Sequence, residues 1–194
     1  MAITRHGSAA ASNTAALPRG GLRRTKTLFV VVGDHGFGGR EQLTEMDLHR
    51  FNVPLLLLAP GIQEKFGRVR TTVGSQVDIV PTVMGLLGGR TQHQCWGRDL
   101  LSLPDGDAGF AVIKPSGSDQ TVAIVSGDRI LVKPRDGGAR VYDYRLGRDS
   151  KVSLVKDAPE RAGLQKRLEA FIQTAIKSLL ENSTGAGRGN TGED

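Results

Sequence analysis

Two runs of consecutive large apolar residues, Thr27 to Val32 and Val53 to Ala59, dominate the first third of the chain. A strand that is apolar at every position has two faces to bury, as in a parallel sheet covered by helices on both sides. Gly33 ends the first run and Pro60-Gly61 the second. Between them, Arg40 to Arg50 is mixed, with Leu43, Met46 and Leu48 as its apolar members, consistent with a short surface helix or an ordered loop. Val69 to Ser75 is a weaker strand candidate. Gln76 to Leu87 reads as a helix: Asp78 caps its first N–H groups, Pro81 sits in the first turn, and Gly88-Gly89 stops it. Ile79, Val80, Val83, Leu86 and Leu87 fall on one face.

The pattern changes after Pro104. Thr121 to Val125, Arg129 to Lys133 and Ala139 to Tyr144 are three short strands whose linkers, Ser126-Gly127-Asp128 and a turn from Pro134 to Gly138, are too short for crossovers. They predict an antiparallel meander. Asp157-Ala158-Pro159-Glu160 then opens a helix in which Leu164, Leu168, Phe171, Ile172, Ala175, Ile176, Leu179 and Leu180 recur at helical spacing. Such a helix must dock its apolar face on a sheet. The expected fold class is therefore α/β: a partial, mostly parallel sheet with helices, then a small antiparallel meander and a carboxyl-terminal amphipathic helix. The expected division is 27–104 for the α/β part and 105–181 for the antiparallel part with its helix.

With 194 residues, the chain can bury one sizeable core. Its longest apolar runs fall far short of the roughly 20 residues that cross a bilayer, so no membrane span is expected. The single cysteine, Cys95, excludes an internal disulfide framework. Charge is unevenly placed. Residues 1 to 27 hold Arg5, Arg19, Arg23, Arg24 and Lys26 and no acidic residue, which accounts for nearly all of the net charge of +6. That leader lacks the apolar stretch of a secretory signal, and its composition fits a transit peptide or, more simply, a disordered head over 1–26. The glycine-rich end, 182–194, is expected to be a disordered tail. The nearly neutral body shows no basic stripe with interleaved aromatics, so no nucleic-acid partner is expected there.

Candidate chemistry begins at Gly33-Asp34-His35-Gly36-Phe37-Gly38-Gly39, directly after the first strand. Ligands in open α/β sheets gather at the carboxyl ends of strands, and a carboxylate beside an imidazole suits a divalent transition metal. Gly33 and Gly36 let the backbone turn sharply enough to aim both at one centre. The same pair also makes an ordinary hydrogen-bonded turn, and spacing does not separate the two readings. As a phosphate loop the segment fails, because no Gly-Lys-Ser/Thr follows. His49 and Arg50, before the second strand, can meet an anion or simply face solvent. His93 and Cys95 supply too few ligands for a structural zinc site. No serine stands in a nucleophile-elbow context, so a catalytic nucleophile is not identified.

Several segments together resemble the sulfatase-like branch of the alkaline phosphatase superfamily. Thr27 to Gly36 resembles its metal-binding segment, and His49-Arg50-Phe51-Asn52-Val53-Pro54 through Pro60-Gly61 resembles the stretch that follows. Gln76-Val77-Asp78-Ile79-Val80-Pro81-Thr82 with Gly85-Leu86-Leu87-Gly88 is similar to its helix, and Trp96 to Leu101 and Val141 to Tyr144 to its later signatures. The resemblance covers about residues 27 to 181, with the phosphoglycerol transferase and lipoteichoic acid synthase group nearest in flavour and arylsulfatases next.

The resemblance implies a fold, a reaction and a site. It makes Asp34 and His35 ligands of a divalent cation (Mn, Zn, Mg or Ca) and points to transfer or hydrolysis of a phosphate or sulfate ester, in this group often lipid-linked. Arg40, the cation nearest after Asp-His, and His49 are the candidate substrate contacts. A His-x-x-x-Lys anion contact of the sulfatase type is absent, which favours the phosphoglycerol transferase type. The family's nucleophile and remaining ligands precede the Asp-His segment, where this chain has only its Ser/Thr-bearing leader. The chain is therefore expected to correspond to the carboxyl-terminal part of such an enzyme and to be inactive alone. The alternatives are an arylsulfatase-type fragment and a non-catalytic interaction module whose open sheet edge invites self-association. Membrane anchoring with an extracytoplasmic catalytic domain is typical of the phosphoglycerol transferase group. Location is otherwise open.

Overall fold

Alternation of side chains in the second half of the chain organises the molecule. The computed structural model describes residues 3–4, 27–38, 42–88, 93–147 and 149–181. Strands β5 (Ala111–Ile113), β6 (Val122–Ser126), β7 (Arg129–Lys133), β8 (Arg140–Arg145) and β9 (Lys151–Val155) form one antiparallel sheet in sequential order. Register follows the pleat, with Ala123 opposite Val132, Ile124 opposite Leu131 and Val125 opposite Ile130. Ala111, Ile113, Ala123, Val125, Ile130 and Val132 bury one face together with Met46, Leu48, Val73 and Tyr144. Val112, Ile124, Leu131 and Val141 bury the other against Leu164 and Leu168 of helix α3 (Arg161–Leu180). Both faces are covered, which is why β6 and β7 carry apolar residues at consecutive positions.

The meander therefore has five strands rather than three. The two additional ones are a three-residue run, Ala111-Val112-Ile113, and Lys151-Val152-Ser153-Leu154-Val155, which pairs along β8. Helix α3 docks through its first half. Phe171 and Ile172 pack against the core, whereas Ile176, Leu179 and Leu180 further along are exposed.

The expectation of a mostly parallel sheet is overturned. Strand β2 (Phe29–Val32) pairs with β3 (Leu55–Leu58) antiparallel, with Phe29 opposite Leu58 and Val32 opposite Leu55. Every ladder among the described residues is antiparallel, and the single parallel pairing is an isolated bridge from Val73 to Gly109. Apolar runs report which faces are apolar, not strand direction, which is set by the connection. The described residues of 33–54 contain no crossover helix. They hold a 3-10 turn at Leu48–Phe51 and return the chain to the end it left. The hairpin's two faces also differ. Leu55 is buried and Val30 and Leu57 are half-buried on one side, while Val31 and Leu56 on the other are 50% and 48% exposed.

Of the two readings of Arg40 to Arg50, a short surface helix or an ordered loop, the described residues follow the second: a loop that ends in a 3-10 turn, with two of its apolar members buried. Met46 and Leu48 are 2% and 1% exposed and plug the core of the five-stranded sheet. Beside them the Glu45 carboxylate accepts hydrogen bonds from Tyr142, at 2.8 Å, and Arg140. Short helix α1 (Ile62–Phe66) follows β3, and β4 (Gly74–Ser75) leads through a 3-10 turn at Gln76–Asp78 into α2 (Ile79–Leu87), closed by Gly88 at φ 75°.

The Asp78 side chain makes no cap bond to the N–H groups of α2 and reaches back to the residue before the 3-10 turn instead. Its buried carboxylate accepts from the Ser75 N–H at 2.8 Å and the Arg98 N–H at 2.7 Å, and pairs with the Arg98 guanidinium at 3.0 Å. Arg98 in turn donates to the Phe110 carbonyl at 2.7 Å and lies over the Phe110 ring. This hub joins α2 to the entry of the large sheet. Within the expected disordered head, Ile3–Thr4 forms strand β1, paired with β4. The rest of that head and the expected tail, 182–194, lie outside the described residues.

Candidate metal centre

Strand β2 ends at Val32, and the chain turns at Gly33 to present Asp34 and His35. Both side chains stand in the open, 89% and 71% exposed. Asp34 Oδ1 accepts from the His35 N–H at 2.9 Å, which leaves Oδ2 facing His35 Nε2 at 3.7 Å. On the far side of the ring, Nδ1 lies 3.0 Å from the Gly36 carbonyl oxygen. That oxygen can only accept, so the contact puts a proton on Nδ1, and a neutral ring so held has its lone pair on Nε2.

The floor beneath this turn is the 3-10 segment. Gly36 donates its N–H to the Arg50 carbonyl at 2.8 Å, and a methyl group at residue 36 would overlap the His49 carbonyl oxygen. Only glycine lets the two backbones approach so closely. The floor is itself anchored through Met46, Leu48 and the Glu45–Tyr142 contact. Burial alone would raise the Glu45 carboxyl, but its backbone hydrogen bond and the Arg140 and Tyr142 contacts together hold it below the usual carboxylate range. Burial, then the bond to Glu45, pushes the Tyr142 hydroxyl up.

The structure places the candidate substrate contacts unequally. His49 lies in the floor, its N–H donating to Asp47 Oδ1 at 3.2 Å and its carbonyl against Gly36. Arg40 lies outside the described residues. Arg50 is the cation set beside the turn: its guanidinium borders Gly38 and pairs with Asp47 at 3.4 Å. His93 and Cys95 meet in an exposed loop, the Cys95 N–H reaching His93 Nδ1 at 3.3 Å.

One contact had no signal in the sequence. The Gln76 side-chain amide donates to the Gly33 carbonyl at 2.8 Å and the Asp34 carbonyl at 3.0 Å. A polar residue opening a helix gives no hint of a partner more than forty positions upstream.

Residues 21–89 match the sulfatase family. The chain is 31% identical over 83 residues to the multifunctional alkaline phosphatase superfamily protein PehA of Trinickia caryophylli, a match covering 39% of this chain and 15% of that protein. Its fold is similar to that of a solved alkaline phosphatase superfamily protein from Vibrio parahaemolyticus, with a TM-score of 0.66 and 19% identity. That likeness takes in 84% of this chain and 37% of the other. The segment that carries Asp34 and His35 thus lies within the stretch similar to the sulfatase family. The match to PehA spans a small part of the length of that curated relative.

The expectation of a bound divalent cation can be tested against the donors. Two atoms 3.7 Å apart can both lie about 2.0–2.2 Å from one ion, the usual zinc–nitrogen and zinc–oxygen distance. His35 meets the further requirement that its other ring nitrogen be fixed, here by the Gly36 carbonyl. The pair therefore fits as part of a ligand set. Among the described residues no group of three or more His, Cys, Asp or Glu side chains converges. Likewise, no helix among them is long and apolar enough to cross a membrane.

Proposed function

We propose that this chain belongs to the sulfatase/alkaline phosphatase superfamily and carries part of the active site of a metal-dependent enzyme that transfers or hydrolyses phosphate or sulfate esters. Asp34 and His35 would be two ligands of the cation. The observation that carries the reading is the approach of Asp34 Oδ2 and His35 Nε2 to 3.7 Å at the end of β2, with Nδ1 held on the Gly36 carbonyl. A bound divalent cation would supply charge neutralisation for the transferred group and acidification of an oxygen nucleophile. The chain's own residues then have separate tasks. Asp34 contributes negative charge, His35 a neutral nitrogen in a fixed tautomer, and Arg50 and Arg40 positive charge for the ester's non-bridging oxygens. His49 is a further substrate contact at the floor.

The phosphoglycerol transferase type is the finer proposal, with an arylsulfatase-type ester as its competitor. Residues 27–104 are proposed as the site-bearing part and 105–181 as its antiparallel support. With two ligands in hand, weak cation binding and negligible turnover by this chain are expected. Titrating Mn²⁺ into the full chain and its Asp34→Asn variant tests the reading. Saturable binding lost in the variant supports it, and binding indifferent to the substitution overturns it. The bare hairpin face at Val31 and Leu56 favours a second reading, a module that works by association.

A further inference from the structure

The Asp34–His35 turn is bounded by glycines at 33 and 36, the residues with the freest backbones, yet both donors must point the same way. Something has to fix the dihedral angles between them. The peptide plane that carries the Gly33 carbonyl lies on one side of the Asp34 Cα, and the plane that carries the Asp34 carbonyl lies on the other. Each plane is rigid, so fixing both carbonyls fixes φ and ψ of Asp34 and with them the direction of its Cα–Cβ bond. The Gln76 amide grips both, at 2.8 and 3.0 Å. Two acceptors demand the nitrogen end of the side chain and use both of its hydrogens.

The helix start does not need this arrangement. Asp78 accepts the Ser75 N–H at the entry to the 3-10 turn, so Gln76 is spare for a tertiary task. Its own position is set from the large sheet, because Asp78 is locked to Arg98 and Arg98 to Phe110. The Gly36 N–H on the Arg50 carbonyl pins the other end of the turn.

We propose that Gln76 is the positioning residue of the Asp34–His35 ligand pair, holding the Asp34 backbone in the conformation that aims both donors at one cation. This rests on the reading of that pair as metal ligands. Gln76 touches neither the cation nor the substrate and acts through the two carbonyls alone.

The test uses the full chain and Gln76→Met, which keeps the length of the side chain and removes the donor without adding charge. Two quantities are read. Mn²⁺ affinity, from the free-ion EPR signal, is expected to fall about tenfold or more, the usual effect of losing an outer partner of a ligand. Hydrogen exchange of the Gly36 amide is expected to speed up about tenfold, while the Leu131 amide in the large sheet is unchanged. Unchanged exchange at Gly36 overturns the tether, and unchanged Mn²⁺ affinity overturns its positioning role. If the parent chain binds no Mn²⁺, the metal reading fails and the positioning role falls with it, while Gly36 exchange still reports on the tether itself. Gln76→Asn keeps the amide but is one methylene too short to reach both carbonyls. It is expected to behave like Gln76→Met, and it carries the test if that variant does not melt cooperatively.

Discussion

The Tyr142 hydroxyl donates to Glu45 at 2.8 Å across 97 residues of sequence. The bond ties the segment under the Asp34–His35 turn to a central strand of the large sheet. Tyr142→Phe keeps the ring and removes the donor, at an expected cost of about 1–2 kcal/mol for a hydrogen bond to a charged acceptor. Urea denaturation of the two proteins measures it, and an unchanged midpoint would show that the tether contributes nothing.

Glu45 also gives stability a pH dependence. Its carboxyl is held below the ordinary value of 4.5 in the folded chain. Its contribution is therefore full above about 4.5 and is lost as pH falls through the lower folded value. The stability advantage of the parent over Glu45→Gln should shrink on acidification through that window. At the alkaline end the raised Tyr142 hydroxyl stabilises the fold below its ordinary value of 10.0 and ceases to do so as pH rises through the higher folded one. Melting temperature against pH for both proteins checks each limb.

Gly36→Ala places a methyl group against the His49 carbonyl oxygen and close to that of Asn52. Both neighbours are backbone and cannot swing aside, so the turn must lift off its floor. A loss of about 1–3 kcal/mol is expected, as for overpacking in general, together with weaker Mn²⁺ binding. Equal affinity in the alanine variant would show that the close approach has no bearing on the site.

Arg98→Met leaves the Asp78 carboxylate, 1% exposed, without its cation. Breaking one side of a buried pair is expected to cost about 3–5 kcal/mol. The double variant Asp78→Asn with Arg98→Met should recover part of that loss, and denaturation of the singles and the double measures the recovery.

The hairpin face at Val31 and Leu56 is expected to make the chain self-associate. Val31→Thr with Leu56→Thr puts a β-branched residue, suited to a strand, at both positions and lowers the apolar area offered to a partner. Light scattering should show a smaller mean mass for the double variant. No change would locate association elsewhere.

The sequence made strand positions readable where apolar residues run together, at 29–32, 55–58, 122–126, 129–133 and 140–145, because burial writes itself into side-chain type. Direction was readable in the meander, whose short linkers permit only antiparallel pairing. It was not readable for β2 and β3, where it depends on how residues 33–54 return. The bond from Gly36 to the Arg50 carbonyl in that return is main-chain and has no side-chain signature. The burial of Met46 and Leu48 had no clear signal, because two apolar residues separated by a single position in a polar stretch do not fix a helix period or a strand face. Of the proposed site, Asp34 and His35 stand out through their place after a strand and through resemblance, and their role as ligands is the proposal made above. Gln76 was not, since a long-range hydrogen bond from a side chain to backbone imposes no local pattern.

The hairpin that carries Asp34 and His35 is a ladder of four residue pairs with one face bare, while the bulk of the backbone bonding lies in the five-stranded sheet. Local opening of the hairpin therefore requires far less free energy than global unfolding. The two aiming groups can come apart while circular dichroism and calorimetry still report a native protein. Damage at this centre would be silent in a thermal scan and visible only to probes that watch the turn itself.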